Sequence, residues 1–184
     1  MRTLKYSLVL LWMLASPLQA AGLSTTAIEA YLETLPQVRA LAEQLEAKGQ
    51  GDFLKREIMP GTEHFDPHQR GVRALEQQAP DAHAELGRIV TASGFTSAGN
   101  WAQTGDRVVL AYGAVKVEAE SPEILALAQS GASLDPAMLQ MLSPEMRVQM
   151  QQAMTMAKAI AQVPAADKQM IRPYIARLDQ AFEQ

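Results

Sequence analysis

Asp66-Pro67 opens the run DPHQRGVRALEQQA (66–79), and the reading of that run decides the fold. An Asp followed by Pro is a helix start: the carboxylate caps free amides, and the proline sits where no donor is needed. The device recurs as Ser121-Pro122, Asp135-Pro136 and Ser143-Pro144. Four such starts predict four helix N-termini. Pro80 divides the run from a second helix over about 81–93, which Ser93-Gly94 ends.

Working outward, helix follows helix. Ile28, Leu32, Leu35, Val38, Leu41, Ala42 and Leu45 recur at helical spacing and predict a helix over about 26–48. Pro36 is expected to kink or split it, and Gly49 and Gly51 to end it. A loop-like stretch, 49–65, holds a short turn around 53–58. Thr96 or Ser97 is expected to cap a helix over about 98–119. Trp101, Gly105, Val108, Tyr112 and Val115 form its buried seam, and Gly105 implies close approach of another backbone. Short helices are expected near 122–129 and 136–142, a long one over 144–162, and a last one over 165–182 with a bend at Pro173. Alternating strand patterns are nearly absent. The expected fold class is all-α: an irregular multi-helix bundle, one domain spanning 21–184.

Residues 1–20 are read apart from that domain. Arg2 and Lys5 give a short positive front, Leu8 to Leu14 is apolar, and Leu18-Gln19-Ala20 follows the helix-breaking Pro17. This is the pattern of a cleavable signal peptide. The apolar run is about half the roughly 20 residues a membrane span needs. Membrane contact is therefore expected only through the leader before cleavage. The destination read from the short leader is the periplasm, with full secretion as the alternative. Cleavage after Ala20 would remove two basic and no acidic residues, taking the formal charge from −4 to −6. Scattered Lys and Arg on an acidic chain argue against nucleic acid as a partner. Cysteine is absent, which removes thiol catalysis and cysteine metal sites.

Few residues suggest chemistry. Met146, Met150 and Met154 share one helix face. Packing is the expected role; an adaptable apolar groove or a Cu(I) site are the functional alternatives. His64 and His68 are four apart but straddle the Asp66-Pro67 start, so they lack the geometry of a helical metal pair, and no metal site or cofactor is assigned. Trp101 and Tyr112 on one seam, with Arg107 at the edge as an anion anchor, are the candidate pocket; a plain core is the competing account. The small-residue stretch 94–99 reads as a corner between helices. Glu118 and Glu120, at a helix end, read as solvated. No G-x-S-x-G, H-E-x-x-H or phosphate-binding glycine loop occurs.

The resulting expectation is a non-enzymatic extracytoplasmic protein that binds an envelope protein or an apolar ligand, accessory or chaperone-like. The alternative is periplasmic copper handling through Met and His. Ligand-contact residues expected on this reading are Trp101, Arg107, Tyr112, Met146, Met150 and Met154. The leader makes one prediction of its own: protein recovered from the cell envelope begins at Ala21, read by N-terminal sequencing and intact mass. A chain still beginning at Met1 there rejects the signal-peptide reading.

Overall fold

The computed structural model describes residues 22–57, 59, 61, 63–123, 126 and 141–183. The leader, Met138 and most of the two short helices expected near 122–129 and 136–142 lie outside them. The described residues are all-helical, without a strand, and form one domain. In order they are α1 (Thr25–Ala47), α2 (Asp52–Glu57), α3 (Pro67–Gln78), α4 (Pro80–Ala92), α5 (Ala98–Glu120), α6 (Pro144–Ala161) and α7 (Ala165–Ile171). A 3₁₀ turn (Arg172–Tyr174) and α8 (Ile175–Glu183) follow.

The stops at Gly49 and Gly94 and the starts at Ser97 and Ser143 work locally as read. Gly49, at φ 69°, closes α1. Its amide bonds the Glu46 carbonyl at 2.8 Å, and the Gln50 amide bonds that of Leu45 at 2.8 Å. Gly94, at φ 92°, closes α4 with the same pair of bonds, Gly94 to Thr91 and Phe95 to Val90, both 3.1 Å. This is the Schellman end, which needs the left-handed conformation that glycine adopts without strain. The side chains of Ser24, Ser97 and Ser143 accept from the amides of Ala27, Asn100 and Met146. Stretch 94–99 is thus a corner: one helix's stop followed by the next one's cap. Pro173 bends the C-terminal helix through the 3₁₀ turn.

Two local expectations fail. Pro36 does not split α1, which runs through it as one helix. Its ring is exposed, so the missing donor opens no buried gap. Asp66 precedes α3 but its carboxylate caps nothing. It instead pairs with Arg70 at 3.3 Å and Arg73 at 2.9 Å. The cap of α3 comes from another helix: Asp106 of α5 accepts the amides of His68, at 2.8 Å, and Gln69, at 3.3 Å. A carboxylate there meets both orphan donors and the positive end of the helix dipole.

Helix α5 is the hub, packed against α1, α3, α4, α6 and α7. Its buried residues are mostly small: Ala98, Ala102, Gly105, Ala111 and Ala114 lie among Trp101, Val108 and Val115. Small side chains let several neighbours approach one axis. Ile28, Leu86, Val90, Val108, Ile171 and Leu178 are all at most 1% exposed and form the centre of the core. Gly105 does mark a close approach, but to rings rather than backbone. A Cβ there would stand 2.8 Å from both His68 Cδ2 and Tyr31 Cε2.

The two ends of the described chain meet. Buried Asp167 on α7 accepts the Leu23 amide at 2.9 Å and Arg107 Nη2 at 2.8 Å. Arg39 on α1 donates to the Ala181 carbonyl in the last turn of α8 at 2.6 Å, and Arg177 pairs with Glu29 at 2.7 Å. Glu118 is not simply solvated: Lys168 and Arg172 both donate to it. Glu120 takes Lys116.

The two aspartates near the start of α3 should separate in a denaturation experiment. Asp106→Ala leaves the buried donors of His68 and Gln69 without their acceptor and is expected to cost about 1–3 kcal/mol. Asp66→Ala removes surface pairs and should cost about 0–1 kcal/mol. Urea midpoints of the two variants check this; equal losses would restore Asp66 as the cap.

Candidate functional site

Three helices contribute one polar line inside the apolar core. Asp106 on α5 is 4% exposed. Its Oδ1 accepts the amide and Nδ1 of His68, at 2.8 and 2.9 Å; its Oδ2 accepts the amide and Nε2 of Gln69, at 3.3 and 3.0 Å. On the far side of the imidazole, His68 Nε2 lies 2.8 Å from the hydroxyl of Tyr31 on α1. The tautomer with its proton on Nδ1 donates to the carboxylate and accepts the phenol proton at Nε2. Trp101 completes the group: its Nε1 donates to Thr34 Oγ1 at 2.8 Å, and that hydroxyl donates to the Tyr31 carbonyl at 2.6 Å. The rings of Tyr31, His68 and Trp101 stand 5.4–5.9 Å apart in edge and tilted contacts.

Tyr31–His68–Asp106 has the connectivity of a nucleophilic triad, but its chemistry runs the other way. An activated nucleophile needs a lowered pKa and access to substrate. The Tyr31 side chain is 1% exposed. Burial raises its phenol above the ordinary 10.0, and the negative charge of Asp106 raises it further. Both imidazole nitrogens are already engaged. The line ties α1, α3 and α5 together and keeps its hydroxyl protonated.

Beside this line lies an apolar slot of about 550 Å³, within the usual range for small-molecule sites. Leu35, Val38, Leu41, Ala42 and Leu45 line it along α1. Gly71, Val72 and Leu75 line it from α3, while Leu86, Trp101, Val109 and Met156 close other sides. Among the described residues, His68 and Trp101 are the polar side chains of its interior, and every ring nitrogen they own is bonded within the protein. Lys55 and Glu46, paired at 3.1 Å and well exposed, stand at one end. Gly71 has a telling place. It sits inside α3, where glycine costs roughly 0.5–1 kcal/mol against alanine, yet a Cβ there would touch nothing within 4 Å. Gly105 is required by packing; Gly71 is not. Its effect is to leave the slot clear.

The residues singled out in the sequence are dispersed. Trp101 does face the slot. Arg107 does not: it lines a separate cavity of about 440 Å³ beside Asn100 and Thr104 and is held by Asp167. Tyr112 donates to Asp179 and stacks edge-on with Phe182 at 5.3 Å. Met146 and Met150 are 53% and 37% exposed and Met154 is half-buried, so among the described residues this face is not buried in the core. The slot takes Met156 instead, two positions off that face. His64 is exposed, and among the described residues no three His, Asp or Glu side chains gather around a metal position. Tyr31, Thr34 and Gly71 escaped the sequence reading, and so did the buried role of Asp106 beside Trp101 and Arg107. One signal was present: an aspartate beside Gly105 on a buried seam must find donors.

No protein-family model, curated protein or solved structure matches the chain.

The buried phenol makes an alkaline prediction. Its pKa is raised on folding, so this group's contribution to stability is complete below pH 10.0 and falls as pH rises further. Tyr31→Phe should therefore be less stable at neutral pH, by about 1 kcal/mol for the lost hydrogen bond. It should also show a shallower decline above pH 10 in urea unfolding. Parallel alkaline slopes in the two proteins would contradict this.

Proposed function

We propose that the protein is an exported, non-enzymatic carrier that holds an apolar ligand in the slot between α1, α3 and α5. The observation that carries this reading is a slot kept open at a cost, whose described interior side chains offer no free hydrogen bond. Trp101 spends its donor on Thr34, and His68 spends both nitrogens on Asp106 and Tyr31. A polar ligand entering would lose its hydration without replacement partners. An apolar one gains from leaving water. The clear space beside Gly71 supports the same reading, because a tightly packed core gains nothing from an interior helix glycine. Release of the chain from its leader into the envelope belongs to this proposal and fits the signal pattern at 1–20.

Cleavage after Ala20 also supplies the probe. It removes Trp12 and leaves Trp101 as the single tryptophan, in the wall of the slot. A panel of apolar compounds, both linear and ring-shaped, should include members that change Trp101 emission saturably. Gly71→Leu is expected to fold, since leucine is the better helix former, and to abolish that change by filling the slot. Circular dichroism checks the fold of the variant. If no compound in the panel perturbs Trp101, or Gly71→Leu binds like the parent, the carrier reading fails.

A further inference from the structure

Helix α6 is sheltered in its second half and exposed in its first. Every residue from Pro144 to Gln151 is exposed, so these turns bury no side chain in the body. The second half holds the helix in place: Met156 lines the slot, and Ile160 lies beside Gly113 of α5, where an added Cβ would stand 3.7 Å from its Cδ1. Met146 and Met150, four positions apart, share one face of the exposed half. Met141, just ahead of it, is 87% exposed.

The sulfur sets methionine apart from other apolar residues that could stand on such a face. The chain has no cysteine, so thioethers are its only sulfur, and the fold sorts them. Met170 packs against the core, and its Sδ accepts the Thr25 hydroxyl at 3.5 Å. Met154 is half-buried, and Met156 faces the slot. Oxidation to the sulfoxide turns a flexible apolar side chain into a polar one. At Met156 or Met170 that change places a polar oxygen among apolar neighbours, at a cost. At Met146 or Met150 the new oxygen meets water and no core packing is lost.

We propose that the outer half of α6 is a sacrificial oxidation site, where Met141, Met146 and Met150 take oxygen from peroxides before the sulfurs of the core and the slot are reached. In the step, a sulfur lone pair attacks one oxygen of hydrogen peroxide. The S–O bond forms as the O–O bond breaks, so sulfur loses two electrons and the peroxide gains them. The proton of the new S–OH group passes to the departing hydroxide, and the products are one sulfoxide and one water.

The probe is hydrogen peroxide alone, added to the mature protein without any ligand, so the result is independent of the carrier reading. Peptide mapping by mass spectrometry follows each methionine with time. Met141, Met146 and Met150 should gain oxygen several times faster than Met154, Met156 and Met170. Met59, 54% exposed after α2, should react with the fast set. While only the fast set is oxidised, circular dichroism and the urea midpoint should match those of the untreated protein. The triple variant Met141→Leu, Met146→Leu, Met150→Leu keeps good helix formers on an exposed face. With peroxide limiting, it should show a larger share of oxidation at Met156 and Met170. Equal rates at the α6 and sheltered sulfurs, loss of fold while only the fast set is oxidised, or an unchanged share at Met156 and Met170 in the variant would each overturn the proposal.

Discussion

The carboxylate of Asp106 is the constraint on which the arrangement rests. A buried anion is tolerated only when its lone pairs are met, and this one meets four donors, two from backbone and two from side chains. Because two of those donors are the first amides of α3, the anion fixes where α3 begins. Because a third is the imidazole of His68, it also fixes the ring that reaches Tyr31 on α1. Gly105, its neighbour in sequence, is what lets both rings come so close to α5. One charge thus sets the spacing of three helices, and the slot is the space that this spacing leaves.

The same economy supports the proposed carrier reading. Among the described residues, the ring nitrogens that face the slot are bonded to partners inside the protein. Trp101 and His68 present ring surface, not donors, to the interior. Burial and the charge of Asp106 keep the Tyr31 phenol protonated rather than activated.

Much of the fold was legible because its signals are local. Ser97 caps a helix three residues ahead, Gly49 and Gly94 turn the chain where they stand, and Pro80 parts two helices at its own position. Each acts within a turn or two of itself. What stayed hidden depends on residues far apart in the chain. Asp66 looks like the cap of α3 by adjacency, whereas the acceptor comes from 38 residues on. The candidate site was less legible than the fold for the same reason. Periodicity put Trp101 on the inner face of α5, but it could not say that Arg107 turns to Asp167 or that Tyr112 turns to Asp179. Nor could spacing alone say what lies opposite a stripe. Met146, Met150 and Met154 line up on α6 as a core face would, yet they are left partly or largely uncovered.

The contact between Leu23 and Asp167 spans 144 positions, and Arg39 with Ala181 spans 142. Closing loops of that size is entropically costly and slows folding. Helix α1 supplies a whole wall of the slot, and it is anchored by residues from the far end of the chain. An emerging polypeptide therefore has its first helix in hand long before that helix has its partners. Under the export proposed above, late closure is an advantage: the segment that leaves first is the one that cannot settle until the last has followed.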